Sequence, residues 1–534
     1  MLARATAWGP PARPPSRPRR AFTRACLPPG GRLPYGGTVN SAEPTDRPAA
    51  PPTEPEHDAP DDGADLVVVA NRLPVDMTVE SDGTRTFTRS PGGLVTALAP
   101  LMRKEDGAWV GWVGTPDVEL EPFEEDSIDI VPVTLSADEV ELYYEGFANG
   151  TLWPLLHDAV VDPEFHRTWW NAYVAVNRRF ARRAAEVAAP GATVWVQDYQ
   201  LLLVPNLLRA LRPDLRIGFF LHIPFPPVEI FAQLPWRKQV LEGLLGADLI
   251  GTQRASDAGN VLRAIRRLTD VTTRGQVVTV GSRWTRPERH VRVAAFPISI
   301  DTAAIAELAA TPEIEQRARQ IRHDLGDPDV MLLGVDRLDY TKGIRHRLKA
   351  FGELLADGKV AAPDVTLVQV ASPSREAVER YKVLRDEVEV TVGRINGDHG
   401  ALGRAAIHYL HHSYPLEEMV AMYRAADVML VTALRDGMNL VAKEYVAARV
   451  DLDGVLVLSE FAGAADELTQ AVIVNPHDID GMKSAILEAI GMNPRERRRR
   501  MRALRRKVVD SDVQHWASSF LGTLQAMPRR DTHV

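Results

Sequence analysis

Arg337 and Lys342 stand five residues apart in the run Asp336 to Gly343, which reads DRLDYTKG. A planar guanidinium fork and a compact ammonium at that spacing, in a strand-to-helix turn closed by a glycine, suit a diphosphate. Ser90-Pro91-Gly92-Gly93 precedes a helical pattern that begins near Leu94, so the amides of Gly92 and Gly93 could approach a phosphate at a helix N-terminus. Asp436-Gly437-Met438-Asn439, followed by Leu440, Val441, Ala442, Lys443 and Glu444, offers a carboxylate and exposed amides before another helix. Such groups suit sugar hydroxyls and a nucleotide ribose. The chemistry these residues point to is the handling of a polyanion and a polyol.

Other chemistries lack their marks. The chain has no GxGxxG, no GxxxxGK[ST], no HExxH and no GxSxG, which removes the best support for a nicotinamide dehydrogenase, a P-loop kinase and a serine hydrolase. His408, His411 and His412 have a spacing that could face a metal from a helix, but no carboxylates accompany them and they read as packing or surface residues. The net charge of -8 argues against binding dominated by nucleic-acid phosphates. One cysteine, Cys26, can form neither an internal disulfide nor a Cys-rich zinc site, and a reducing, cytoplasmic setting is expected. No run reaches the ~18 apolar residues of a membrane span.

The candidate residues sit where apolar runs end. Short runs suited to strands buried on both faces recur at Leu66 to Ala70, Thr193 to Val196, Ile217 to Leu221, Asp248 to Gly251, Val330 to Val335, Val365 to Val370, Val428 to Thr432 and Val455 to Ser459. Helical patterns such as Thr168 to Val187 separate them, which predicts an α/β protein. In an open α/β sheet, ligands bind beyond the carboxyl ends of the strands. Arg72, Asp198, His222, Arg337, Arg375 and Asp436 all follow such runs.

Two strand-and-helix series, about Asp65 to Val293 and Pro328 to Pro476, are each long enough for a doubly wound domain. The expected organisation is therefore a disordered Pro/Arg-rich tail over 1–62, a Rossmann-like domain over 63–295, a second over 296–490 facing it across a cleft, and a helical segment over 491–534. The basic stretch Arg495 to Lys507 has no aromatic platform beside it and reads as a solvated helix face.

Several longer strings resemble those of the trehalose-6-phosphate synthases: Asn71 to Val75 (NRLPV), Leu152 to Leu155 (LWPL), Asp198 to Leu201 (DYQL), Gly218 to Pro226 (GFFLHIPFP), Asp336 to Gly343, Gly393 to Gly397 (GRING), Arg435 to Glu444 (RDGMNLVAKE) and Leu458 to Ala465. The resemblance runs from about Asp65 to Leu521. It implies a retaining glycosyltransferase of the two-lobed GT-B type that moves glucose from a nucleotide diphosphate, UDP-glucose foremost, to glucose 6-phosphate without a metal ion or other cofactor.

Position by position, the resemblance implies that Gly92, Gly93, Arg337 and Lys342 grip the donor diphosphate. Leu440, Val441, Ala442, Lys443 and Glu444 form the helix start that receives the nucleotide, with Glu444 on the ribose and Tyr414 near the base. Asp436 and His222 orient the donor glucose. Arg72, Tyr144 and Arg375 hold the acceptor phosphate, Asp198 its hydroxyls, and Trp153 shapes the pocket that decides the anomeric outcome. Arg337, Lys342, Asp198, His222 and Trp153 are the expected catalytic set. Arg72 and Arg375 belong to different lobes, so a phosphate held by both would bridge the cleft. One departure stands out: Gln197 occupies the position where the family often has histidine.

Two other readings share these residues. A pseudo-glycosyltransferase of the validoxylamine kind would use the same fold, but the intact Arg435 to Glu444 string and Trp153 favour the sugar enzyme. A non-catalytic sugar-phosphate sensor would be expected to have lost part of the donor grip, and Arg337, Lys342, Asp436 and Glu444 are all present.

Overall fold

The computed structural model describes residues 63–528, apart from 80–84, 90–94, 96–97, 99–101, 104–106, 283–285 and 377. The tail over 1–62, Gly92 and Gly93 lie outside the described residues.

Two sheets carry the site. The first has ten strands in the hydrogen-bonded order Thr272–Arg274, Val277–Ser282, Arg286–Ala295, Leu249–Thr252, Arg216–Phe220, Ala188–Gln197, Ala64–Arg72, Ala108–Trp112, Ile128–Pro132, Phe123–Glu125. Its central strands are parallel, and the antiparallel pairings are confined to its margins. The second sheet is wholly parallel and runs Ile407–Leu410, Val365–Ser372, Val330–Arg337, Val428–Val431, Val455–Ser459, Val472–Val474. Two strands first extend the sheet one way from Val330–Arg337 and three then extend it the other way, which is the Rossmann order.

Burial explains why the expected apolar runs became these strands. Val67, Val68, Val69, Val194, Ile217 and Leu333 are fully buried, because helices cover both faces of each parallel sheet. The strand at Ala108–Trp112 begins just after a charged stretch, the one at Ile128–Pro132 is interrupted by Asp129, and neither was among the expected runs.

The C-terminal segment serves both sheets. Helix Pro494–Asp510 lies against helix Leu440–Ala448, where Arg505 donates to the Val446 carbonyl at 3.2 Å. Helix Val513–Gln525 then returns to the first sheet. Phe520 stacks on Trp195 with ring centroids 4.5 Å apart and fills the space left by Gly218 and Gly251. Burying aromatic and aliphatic side chains of this size contributes about 1.5–3 kcal/mol each.

The lobes are in contact around the cleft. Arg254 makes a two-pronged pair with Asp466 at 2.8 and 2.6 Å, and Arg435 reaches Asp158 at 2.9 Å and Asp257 at 3.1 Å. Arg380 donates to the Asp162 carbonyl at 2.6 Å and to Glu164 at 3.0 Å. Gly437 is pressed so closely to the His222 carbonyl that a Cβ there would collide with its oxygen.

Candidate active site

The second-lobe wall grows from strand Val330–Arg337 and the turn that follows it. Asp339 caps the short 3-10 turn Tyr340–Lys342 by accepting from the Thr341 amide at 2.9 Å, and Gly343 takes φ 67°, a left-handed conformation that lets the helix Ile344–Ala356 begin at once. That geometry presents Lys342 to Asp436, with Nζ 2.6 Å from Oδ2. Burial alone would raise the Asp436 carboxyl, but the Lys342 ammonium and the Asn439 amide outweigh it and hold it below its ordinary value. Arg337 is exposed to the cleft, and no carboxylate among the described residues pairs it. Its guanidinium faces the Trp153 ring at 5.5 Å.

The first-lobe wall comes from an unusual element. Val140–Leu152 is a π-helix whose wide turns end with the Trp153 amide donating to the Ala148 carbonyl, five residues back. It is tied to the sheet through Tyr143, which donates to Asn71 at 2.8 Å, its Asn149 accepts from the Tyr199 hydroxyl at 2.8 Å, and it leads directly into Trp153. Trp153 is buried between Arg375, 3.8 Å from its ring centre, and His157, at 4.2 Å. Burial lowers the His157 pKa to about 4, so its Nδ1–H donates to the Trp153 carbonyl at 2.8 Å while the ring stays neutral.

Arg375 is held from both lobes. It donates to Asp339 at 2.7 Å and Tyr381 at 2.6 Å in its own lobe, and to the Tyr199 hydroxyl of the other at 3.2 Å. Its Nε is buried and has no partner among the described residues. A buried guanidinium N–H left unpaired is costly, and an incoming anion would satisfy it.

Asp198 follows strand Ala188–Gln197 with φ 70°. Burial raises its pKa to about 6, and the His222 amide, which donates to Oδ1 at 3.1 Å, only partly opposes this. The His222 ring points the other way. Its Nε2 lies 2.9 Å from Gln197 Oε1, an acceptor, so the proton sits on Nε2 and Nδ1 faces the Gln253 amide at 3.5 Å. Burial pushes the His222 pKa down to about 3, and the ring is neutral at any working pH.

The remaining expected residues divide. Glu444 accepts from the Tyr423 hydroxyl at 2.8 Å, and burial raises its carboxyl. The Ala442 amide is taken by Asn439 at 3.0 Å, whereas Leu440 and Val441 begin the helix, where amides have no carbonyl one turn back. The Lys443 side chain turns away, donating to Glu467 at 2.7 Å and to the Ile298 carbonyl at 2.8 Å, so only its backbone faces the helix start. Tyr414 packs on His412 at 4.2 Å in the loop after the edge strand Ile407–Leu410. Arg72 pairs with Asp76 at 3.1 Å and lies over Trp112 at 5.4 Å, and Tyr144 meets the same ring edge-on at 6.1 Å. No contact joins Arg72 directly to Arg375.

His408, on this edge strand, and His411 just beyond it lie on extended chain, not on a helix; the latter's Nδ1 hydrogen-bonds the Ala371 carbonyl at 2.9 Å. Among the described residues no three His, Cys, Asp or Glu side chains converge as a metal site. Among these residues, too, no helix is long and apolar enough to cross a membrane. Asp339, His157, Tyr199, Tyr381 and Gln253 were not among the expected site residues. For Asp339 a signal existed in the Asp-x-Thr spacing of a side-chain-capped turn inside DRLDYTKG; the others meet the site only through tertiary packing.

Two facing Rossmann-like lobes with cleft-lining cations and sugar-suited carboxylates define a glycosyltransferase of the GT-B type. Residues 64–526 match the model of glycosyltransferase family 20, and the chain belongs to that family. It is 59% identical over 464 residues to a trehalose-6-phosphate synthase of Mycobacterium sp. (strain JLS), covering 86% of this chain and 96% of the relative. The trehalose-6-phosphate synthase of Mycolicibacterium smegmatis is 57% identical over 476 residues, with 89% and 95% covered. Among solved structures, one from E. coli bound with UDP-2-fluoro glucose superposes with a TM-score of 0.79 at 36% identity, covering 87% of this chain and 100% of that one. An α,α-trehalose-phosphate synthase (UDP-forming) from Burkholderia xenovorans in complex with glucose-6-phosphate does so with 0.78 at 35% identity, covering 86% and 100%.

Proposed function

We propose that this chain makes α,α-trehalose 6-phosphate by transferring glucose from UDP-glucose to glucose 6-phosphate with the α configuration retained. The observation that carries the reading is the cationic cluster in which Arg337 faces the cleft with no carboxylate partner among the described residues, Lys342 meets Asp436, and Arg375 stacks on Trp153. Two anion sites side by side suit a diphosphate donor and a phosphorylated acceptor. The family and the substrates named for the solved relatives support the same reading.

In this reading residues 63–295 bind the acceptor and 296–490 the nucleotide sugar. Arg337 and Lys342 take the diphosphate together with Gly92 and Gly93. The amides at Leu440 to Glu444 and the Glu444 carboxylate receive the nucleoside, with Tyr414 near the base. Asp436 and the backbone beside His222 orient the donor glucose. Arg72, Tyr144 and Arg375 hold the acceptor phosphate and Asp198 its hydroxyls. Trp153 walls the pocket on the acceptor side of the reacting carbon.

The chemistry is a same-face substitution. The bond from C1 to the phosphate oxygen stretches first, and the growing negative charge on the diphosphate meets Arg337 and Lys342 where a metal ion serves in other enzymes. The acceptor hydroxyl forms the new bond to C1 and gives its proton to the departing phosphate oxygen, so no protein nucleophile is consumed. By comparison with single oxyanion donors, each cationic contact is worth about 3 kcal/mol of transition-state stabilisation. Incubating the purified protein with a panel of nucleotide-glucose donors and glucose 6-phosphate tests the reading. A phosphorylated non-reducing disaccharide from UDP-glucose is expected; its absence, or a product formed only from a cyclitol donor, refutes it.

A further inference from the structure

Asp339 is fully buried, yet it sits between cations: Arg337 two residues before it and Lys342 three after it in the chain, with Arg375 in direct contact. Its two oxygens are filled by four donors. Oδ1 accepts from the Thr341 amide at 2.9 Å and the Thr341 hydroxyl at 2.8 Å. Oδ2 accepts from Arg375 Nη1 at 2.7 Å and from the Tyr381 hydroxyl at 3.0 Å. One carboxylate therefore joins the turn that presents Lys342 to the guanidinium that stacks on Trp153.

We infer that Asp339 is a positioning residue that fixes Arg375 for the acceptor phosphate and ties the donor-side turn to the acceptor side of the cleft. This inference rests on the assignment of Arg375 to the acceptor phosphate. Three cations gathered for two anionic substrates repel one another while the cleft is empty, and a buried anion among them offsets that repulsion. The charge is stable there: burial works against it, but Arg375, Arg337 and Lys342 prevail and hold the carboxyl well below the usual range. Because Asp339 and Tyr381 occupy Nη1 and Tyr199 takes one proton of Nη2, the unpartnered Nε and the second Nη2 proton are left for a ligand.

An amide cannot replace this carboxylate. Asparagine has a single acceptor oxygen, so it can face Thr341 or Arg375, and the other side meets an N–H with an N–H. Its oxygen has two donors within two residues at Thr341, and the Arg375 side is expected to be lost.

The test compares wild type, Asp339→Asn and Tyr381→Phe in steady-state kinetics with both substrates varied, alongside calorimetric binding of glucose 6-phosphate and of UDP. Asp339→Asn is expected to raise the KM and Kd for glucose 6-phosphate by about tenfold or more while the Kd for UDP changes by less than about threefold. Tyr381→Phe, which removes one donor from Oδ2 and one acceptor from Arg375, is expected to move the acceptor constants in the same direction by about threefold. Equal losses for both ligands, or unchanged acceptor constants, overturn the inference. If Asp339→Asn does not fold, Tyr381→Phe decides on the same readout. A wild type that binds glucose 6-phosphate without forming disaccharide would refute the proposed activity, and the variants' affinities would still judge Asp339.

Discussion

Gln197 accepts a hydrogen bond from the Nε2–H of His222 at 2.9 Å, and in doing so settles which nitrogen of that ring carries the proton. The acceptor at this position is an amide that cannot titrate. The His222 backbone, in turn, caps Asp198 from one side and touches Gly437 of the opposite lobe from the other.

Replacing Gln197 with alanine leaves the buried ring N–H of His222 unpaired, a cost of about 1–3 kcal/mol. Thermal unfolding should register most of it. The KM for the nucleotide sugar should rise as the ring turns to find another acceptor, and Gln197→His should recover more of both losses than Gln197→Ala. Equal behaviour of the two variants would show that the amide merely fills space.

Gly437→Ala puts a methyl group against the His222 carbonyl, so the lobes cannot meet as they do here. Each lobe keeps its own core, and the variant should unfold near the wild-type temperature. A displacement of about 1 Å at the reacting centre costs on the order of 100-fold in rate. A kcat within twofold of wild type would mean that this contact is not part of the working arrangement.

The two inter-lobe arginines should behave differently. The Arg254–Asp466 pair is half in solvent on the acid side, so Arg254→Ala should cost only about 0.2–1 kcal/mol, and less in high salt. Arg435 instead faces Asp257, which is fully buried and has one oxygen without a hydrogen-bond partner among the described residues. Removing the arginine strands that carboxylate, at about 3–5 kcal/mol. Burial has already raised the Asp257 pKa to about 6 despite Arg435, so Arg435→Ala should be least harmful at low pH, where Asp257 is protonated. Adding Asp257→Asn should restore stability at neutral pH. Denaturant unfolding at two pH values checks both signs.

Asp198 makes the acceptor side sensitive to acid. With a pKa raised to about 6, its carboxylate form predominates above that pH and is lost below it, and with it an acceptor for the sugar hydroxyls. The second ionisation of glucose 6-phosphate falls near pH ~6 as well. The acid limb of kcat/KM for glucose 6-phosphate should therefore be steeper than a single proton allows. In Asp198→Asn, whatever activity survives should show the one-proton slope of the substrate alone. Identical slopes would remove Asp198 from the titration.

Particular residues show what was legible in the sequence and what was not. The strand at Leu66 to Ala70 and the four central strands of the second sheet announce themselves because parallel strands buried on both faces must be apolar without interruption, whereas its edge strands Ile407–Leu410 and Val472–Val474 are short and do not stand out. Arg337 and Asp436 stand out as candidates because they follow apolar runs, at the end of an α/β sheet where ligands bind, and the fold brings Lys342 onto Asp436. Lys443 lies in the first turn of a helix, as its sequence suggests, but its side-chain direction depends on Glu467 and Ile298, which no local pattern reveals. The π-helix Val140–Leu152 was invisible for a similar reason: its composition is that of an ordinary helix, and its wider turns are held by tertiary contacts such as Tyr143 with Asn71. Asp339 looked like one more charge in a familiar string until the fold put Arg375 and Tyr381 on it.

Helix Val513–Gln525, which covers Trp195 with Phe520, also orders events during synthesis. The sheet it completes is translated long beforehand, so that sheet leaves the ribosome with an aromatic face still uncovered and a claim on chaperones. Cutting the gene between the two lobes would not yield two independent halves, because the upstream half would lack the helix that seals it. Supplying residues 494–528 as a separate peptide should rescue its solubility.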